Sequence, residues 1–180
     1  PIAGPIGDFT FQVTDIEPGL LFIFSITSLS VYGAVLAGTS SNSKFALLGG
    51  TRASAQMISY EVFMGLALMG IFMVYGSTRV SDRVNGQNED WFGTLIPMWG
   101  VFTQPLGFFL FFTALFAETK RAPFDAPEGE SEIVAGYFLE YSGMRWSAFM
   151  LAEYVAVAGV AVLMTTLFFG GYHVPWLHLW

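Results

Sequence analysis

The sequence predicts an all-α integral membrane protein: four transmembrane helices, with a long acidic cytoplasmic loop between the third and the fourth. Three observations predict it. First, 54% of the 180 residues are hydrophobic and only 12% are charged, whereas globular domains carry about a quarter charged residues. Second, four apolar runs, at about 18–38, 53–75, 94–117 and 146–169, each reach the ~20 residues that cross a bilayer. Third, the runs are unbroken rather than alternating. In lipid every backbone N–H and C=O needs a partner within the protein, which favours helices. A single membrane domain is expected over 1–180, with 118–145 as the cytoplasmic loop.

Composition excludes several function classes. The net charge is −7 and the few bases lie near the ends of apolar runs, so there is no basic patch to neutralise phosphates and no nucleic-acid partner is expected. There are no cysteines, which excludes a thiolate-held iron–sulfur cluster, a disulfide framework and a Cys nucleophile in this chain. Any redox centre then sits on a partner. His173 and His178 stand in a Trp/Pro-rich tail and are expected to be interfacial residues, not metal ligands. Residues 1–17 carry Asp8, Asp15 and Glu17 and are too short to span. The chain begins at Pro1 without Met or a basic leader, so a central fragment of a longer protein is expected.

The connections set the orientation. The segments 39–52 and 118–145 fall on one side and hold Lys44, Arg52, Lys120, Arg121 and Arg145, against Arg79 and Arg83 on the other. The positive-inside rule puts the richer side in the cytoplasm or its equivalent. Trp91, Trp99, Trp146, Trp176 and Trp180 lie near run ends, at the headgroup depth that such rings prefer. Within the third run, Pro105 has no N–H to donate, so a bend is expected there. Gln104 is then placed to pair with freed backbone or with a neighbouring helix.

The carboxylates carry the functional signal. Glu61 lies about 12 Å into the second run and Glu153 about 10 Å into the fourth, at 1.5 Å per residue. Both runs start on the cytoplasmic side, and the third run ends there with Glu118 at its foot. Three acids from three helices therefore arrive at one level, beneath a loop that adds Asp125, Glu128, Glu130 and Glu132. A charge at the centre of a membrane helix costs roughly 2.5–3.5 kcal/mol on insertion scales. Such residues persist where they face a cavity, pair, or hold a proton, and a carboxyl poised between its two states can move protons.

Bland alternatives stand beside this. A buried Glu can simply be hydrogen-bonded, and Glu118 can pair with Lys120 or Arg121. Pro127 followed by Glu128, Glu130 and Glu132 also resembles a helix start, because proline suits the first position and acids suit the positive end. Ile133, Val134, Tyr137, Phe138 and Tyr141 then recur at helical spacing, which predicts a short amphipathic helix over about 127–141. Its aromatic side is a candidate wall for a flat, apolar ligand.

The stretch from Ala117 to Tyr137, with Glu140-Tyr-Ser-Gly and Leu151-Ala-Glu-Tyr, closely resembles the H-subunit family of proton-translocating NADH:quinone oxidoreductase, respiratory complex I. The stretches Leu36 to Gly49 and Arg52 to Glu61 match as well, so the resemblance runs from about Asp15 to Gly171. It implies a component at the heel of the membrane arm that helps form the quinone-access cavity. Iron–sulfur clusters and FMN are held by partner subunits, none by this chain. Quinone is the substrate, and lipid and neighbouring membrane-arm subunits are further partners. By motif it also implies that Glu61, Glu118, Asp125, Glu128, Glu130, Glu132 and Glu153 couple quinone reduction to proton translocation. Arg121, Phe124 and Phe138 are weaker candidates for the quinone cavity. The family usually has Asn where Lys120 stands and often Leu where Ala126 stands. Localisation follows as the bacterial inner membrane, or the mitochondrial inner membrane if organellar. Three other functions stay open: the related subunit of a membrane-bound hydrogenase or ferredoxin-dependent complex, a proton-coupled secondary transporter, and a purely structural anchor.

Overall fold

A computed structural model describes residues 15–88, 97–125 and 136–172. Among them the regular elements are all helical: α1 (Gly19–Thr27), α2 (Leu29–Ser40), α3 (Lys44–Tyr75), α4 (Val80–Gly86), α5 (Gly100–Thr103), α6 (Pro105–Glu118), a 3₁₀ turn (Gly136–Phe138) and α7 (Met144–Phe168). Three stretches are long and apolar enough to cross a membrane: Gly19–Ser40, Lys44–Tyr75 and Met144–Phe168.

The first of these is interrupted at Ser28 for a local reason. Ser25 Oγ donates to Leu21 O and Thr27 Oγ1 to Phe24 O, while the single hydroxyl proton of Ser28 is shared between Phe24 O and Glu61 Oε1. Hydroxyls that bond back one turn loosen and bend a helix. Beyond the junction, α2 turns tightly through Ser41–Ser43, with Asn42 left-handed at φ 52°. Here the structure departs from the expected loop of 39–52, because α3 starts at Lys44 rather than Ala53. The reason is packing between small residues. A Cβ on Gly38 would stand 2.8 Å from Ala46 O, and one on Gly50 would stand 2.9 Å from Ala34 O. Backbones this close hold the extra turns of α3 against α2, as small residues do between membrane helices. At 32 residues, α3 is about 48 Å long, which exceeds the ~30 Å apolar thickness of a bilayer.

The third expected crossing, 94–117, is not one helix over the residues described. Its first three residues lie outside them, α5 is a single turn, and Gln104 leaves helical geometry at φ −141°, ψ 69°. Pro105 then opens α6 at the first helical position, where its missing N–H costs nothing. The expected bend is thus a break and a restart. Gln104 Nε2 donates to Gly70 O on α3, a contact that depends on Gly70 having no side chain, since a Cβ there would lie 2.7 Å from Gln104 Oε1.

Two clusters hold the elements together. Leu20 of α1, Leu68 and Ile71 of α3, Phe111 of α6, and Leu167 and Phe168 of α7 form the larger core. At the other end, Ala34, Ala37, Ala53 and Tyr137 form the smaller one, with Phe138, Tyr141 and Phe149 packed against it. Of the expected 127–141 helix, the described part is the 3₁₀ turn Gly136–Phe138 and the residues after it; the remainder, with Trp91, Trp176, Trp180, His173 and His178, lies outside the described residues. Leu36, Leu66, Met73, Leu106 and Leu151 are exposed, the pattern of helices whose outer faces meet an apolar solvent.

Beyond α3 the chain is tied down by polar side chains. Gln87 is fully buried: its Oε1 accepts from Gly100 N and Gly170 N, and its Nε2 donates to Thr166 O and Arg83 O. Arg83 is also fully buried, with its guanidinium carbon 4.5 Å from the Phe72 ring centroid. Burial lowers this guanidinium to about 10, so it stays charged at neutral pH.

Gly38→Leu forces α2 off α3, and overpacking of this kind costs roughly 1–3 kcal/mol. The purified protein is expected to lose about 5 °C in Tm. Gly33→Leu, at a glycine with nothing within 4 Å of its would-be Cβ, is expected to leave Tm unchanged. Equal losses from the two variants would contradict the close α2–α3 contact.

Candidate functional site

The site is built on the way α6 ends. Arg121 N–H donates to Phe116 O at 3.1 Å and Lys120 N–H to Ala117 O at 3.3 Å. Between them Lys120 is left-handed, at φ 53°. This two-bond cap satisfies carbonyls that the helix end would otherwise orphan, and glycine or asparagine usually occupies its left-handed position.

The reversal sends two consecutive bases to different partners. Lys120 Nζ donates to Tyr137 Oη at 2.6 Å and stands 4.5 Å from the centroid of that ring. Arg121 Nη2 lies 3.2 Å from Glu153 Oε1 on α7, and its guanidinium is 5.3 Å from the Tyr154 ring. The Arg121 side chain is 42% exposed and that of Glu153 only 15%. A pair this open to its surroundings contributes about 0–1 kcal/mol at a water-exposed surface, so its main effect is to orient Glu153.

Glu61 projects from α3, and its Oε1 accepts from Ser28 Oγ at the α1–α2 junction. The charge of Glu61 acts on Glu118 across the α3–α6 contact, and that of Lys120 acts on Glu118 from the cap. Glu118 Oε2 is buried and finds no hydrogen-bond partner among the described residues. Glu61 thus lies within electrostatic reach of Glu118, and Arg121 ties Glu153 to the turn that follows α6. Asp125 is exposed. Glu128, Glu130 and Glu132 lie outside the described residues. Among the described residues no three His, Cys, Asp or Glu side chains gather closely enough to hold a metal ion.

The aromatic candidates separate. Phe124 packs edge-on against Tyr60 of α3, with ring centroids 5.4 Å apart. Phe138 packs edge-on against Tyr137 at 5.2 Å, within the smaller core. Gln56 was not among the sequence candidates, yet its Nε2 donates to Ala117 O at 3.0 Å and Phe124 O at 2.7 Å. It thereby straps the turn after α6 onto α3. The signal that marked it was an amide five residues before Glu61 in a largely apolar helix, where an unpaired amide would be costly. Ser28 carried no comparable signal, because hydroxyls have ordinary structural uses in such helices, and Tyr137 was marked only as part of the aromatic side of the expected 127–141 helix.

A family model described as NADH dehydrogenase matches residues 1–180. The chain is 52% identical over 163 residues to NADH-quinone oxidoreductase subunit 8 of Rhodothermus marinus, covering 91% of this chain and 47% of that protein. It is 45% identical over 164 residues to the H subunit of NADH-quinone oxidoreductase from Protochlamydia amoebophila, covering 91% and 48% respectively. It is 43% identical over 166 residues to the H subunit numbered 1 of NADH-quinone oxidoreductase from Cytophaga hutchinsonii, covering 92% and 46%. The chain thus spans about half the length of these relatives.

Gln56→Leu removes both strap bonds and leaves the Phe124 carbonyl without its donor. Losing a partner at this half-buried position costs about 1 kcal/mol or more. Hydrogen–deuterium exchange over 119–125 is expected to speed up by about fivefold or more, while exchange in α2 stays unchanged. Unaltered exchange over 119–125 would show that Gln56 does not hold the turn.

Proposed function

The chain belongs to the NADH dehydrogenase family, and from that membership we propose that it is part of the membrane subunit of an NADH:quinone oxidoreductase that links quinone reduction to proton translocation. Four crossings are part of the proposal: the three long apolar helices and a third-run segment that includes α5 and α6, with 118–145 facing the cytoplasm or its equivalent. Electrons reach the quinone from FMN and iron–sulfur clusters on partner subunits. This chain, which has no cysteine, contributes no thiolate to them. The names of its relatives favour NADH as the donor over a hydrogenase or ferredoxin-dependent relative.

One observation carries the proposal. Arg121 in the turn that caps α6 pairs with Glu153 of α7, and Glu118, the last residue of α6, lies within electrostatic reach of Glu61 of α3. Carboxyls in an apolar setting, close enough to sense one another, change charge in response to their neighbours. A change at one end of such a set is passed along as a change in proton affinity at the next. Glu61, Glu118 and Glu153 are assigned this role. Asp125, Glu128, Glu130 and Glu132 are assigned the approach from the aqueous side. Arg121, Phe124 and Phe138 belong to the proposed quinone cavity, and the hold of Gln56 and Tyr60 on Phe124 supports a fixed position for that ring against α3. The chemistry of the quinone belongs to the whole assembly, and this chain acts by positioning groups and moving protons.

The test uses the assembled complex in sealed vesicles, with NADH-driven quinone reduction and proton uptake measured together. Glu61→Gln and Glu153→Gln are each expected to lower proton uptake by about tenfold or more, in line with the loss of a proton-transferring group. Assembled variants that pump normally would reduce these residues to a structural role and overturn the proposal.

A further inference from the structure

Ser28 sits where α1 gives way to α2, and its hydroxyl has two claimants. Within Gly19–Ser40 it stands about 14 Å from one end and about 18 Å from the other at the helical rise, well away from either surface of a bilayer. Its Oγ reaches Phe24 O, one turn back, and Glu61 Oε1 on α3. A hydroxyl has one proton to give and two lone pairs to accept with. Phe24 O does not depend on that proton, because it already accepts from Ser28 N–H at 2.9 Å and from Thr27 Oγ1 at 2.9 Å. Glu61 does depend on it: among the described residues its hydrogen-bond donor is this hydroxyl. An ionised carboxyl left without a donor at such depth is costly.

We propose that Ser28 is a positioning residue for Glu61, a reversible partner that gives the carboxyl a hydrogen bond in both of its charge states. The proposal rests on the proton role assigned above to Glu61 and names the group that makes that role workable. When Glu61 is ionised, the Ser28 hydroxyl donates to its Oε1. When Glu61 takes up a proton, its own O–H donates to Ser28 Oγ, and the serine proton turns to Phe24 O. The serine O–H bond stays intact throughout, and a rotation about Cβ–Oγ reverses the direction of the hydrogen bond. Neither state then leaves the carboxyl unpaired, so it changes charge without meeting the desolvation penalty of a lone polar group. An alanine at this position offers a partner to neither state.

The experiment measures NADH-driven proton uptake by the assembled complex in sealed vesicles. It compares Ser28→Ala, Ser28→Val, Ser28→Thr, Glu61→Gln and the combination of Ser28→Ala with Glu61→Gln. Ser28→Ala removes a hydrogen bond to a charged group and is expected to lower uptake by about fivefold. Ser28→Thr keeps the hydroxyl and adds a methyl, and is expected to stay within about twofold of the parent. Ser28→Val has the shape of threonine without its hydroxyl and is expected to fall as alanine does. Valine against threonine is therefore the comparison to read if Ser28→Ala does not assemble. A merely steric role gives another order, with alanine normal and with threonine and valine equally impaired, and overturns the proposal. In the Glu61→Gln background, Ser28→Ala is expected to cost nothing further. A further loss of similar size there shows that Ser28 acts on some other group, and also overturns it. Normal uptake in Ser28→Ala and Ser28→Val beside a loss in Glu61→Gln removes the serine role and leaves that of the carboxylate standing. Normal uptake in assembled Glu61→Gln removes the role of Glu61, and this proposal with it.

Discussion

A carboxylate removed from water needs an opposite charge or a hydrogen bond, and for Glu61 and Glu153 on these apolar helices the answering group comes from another element. Glu61 of α3 is met by Ser28 at the α1–α2 junction. Glu153 of α7 is met by Arg121 from the α6 cap. Glu118 senses Glu61 and Lys120, while its Oε2 lacks a hydrogen-bond partner among the described residues. No single helix could satisfy its own acid, because a helix has already used its backbone donors internally. The acids thus require close packing of separate helices, and α3 is the element that provides it.

The devices that permit this packing are small or irregular. Gly38 and Gly50 let α2 and α3 touch by their backbones, and Gly49 does the same for the 3₁₀ turn that carries Tyr137. The break at Gln104 frees an amide to bind Gly70 O and lets Pro105 restart the helix. α6 is therefore short and ends where α3 carries Gln56, Tyr60 and Glu61. Gln56 then fixes the turn that follows. Sequence, local breaks and packing lead to one place, and that place is where the charges meet.

Much of this was legible in the sequence, for physical reasons. Length and unbroken apolar character put runs at about 18–38, 53–75 and 146–169, and the structure has long apolar helices there, at Gly19–Ser40, Lys44–Tyr75 and Met144–Phe168, since lipid leaves the backbone few other choices. The missing N–H of Pro105 foretold an irregularity, and Gln104 does pair with a neighbouring helix. Counting depth from the run ends led to the expectation that Glu61, Glu118 and Glu153 meet at one level, and their shared role belongs to the proposal. What was not legible is what depends on partners distant in the sequence. The early start of α3 comes from small residues meeting α2, which hydropathy does not weigh. A proline kink and a complete break look alike in one dimension. Gln56, Ser28 and Tyr137 have many possible uses, and only the fold shows which polar atoms they face. The resemblance supplied the family, while the different partners of Lys120 and Arg121, Tyr137 for one and Glu153 for the other, required coordinates.

The central claim is that Glu61 and Glu118 act as one coupled pair. A double-mutant cycle on proton uptake tests it most directly, using both single Glu→Gln variants and the double variant in assembled complexes. Coupled groups give non-additive losses, so the double variant is expected to pump about as well as the worse of the two singles. If instead the two losses multiply as independent effects, Glu61 and Glu118 do not work together and the account is contradicted.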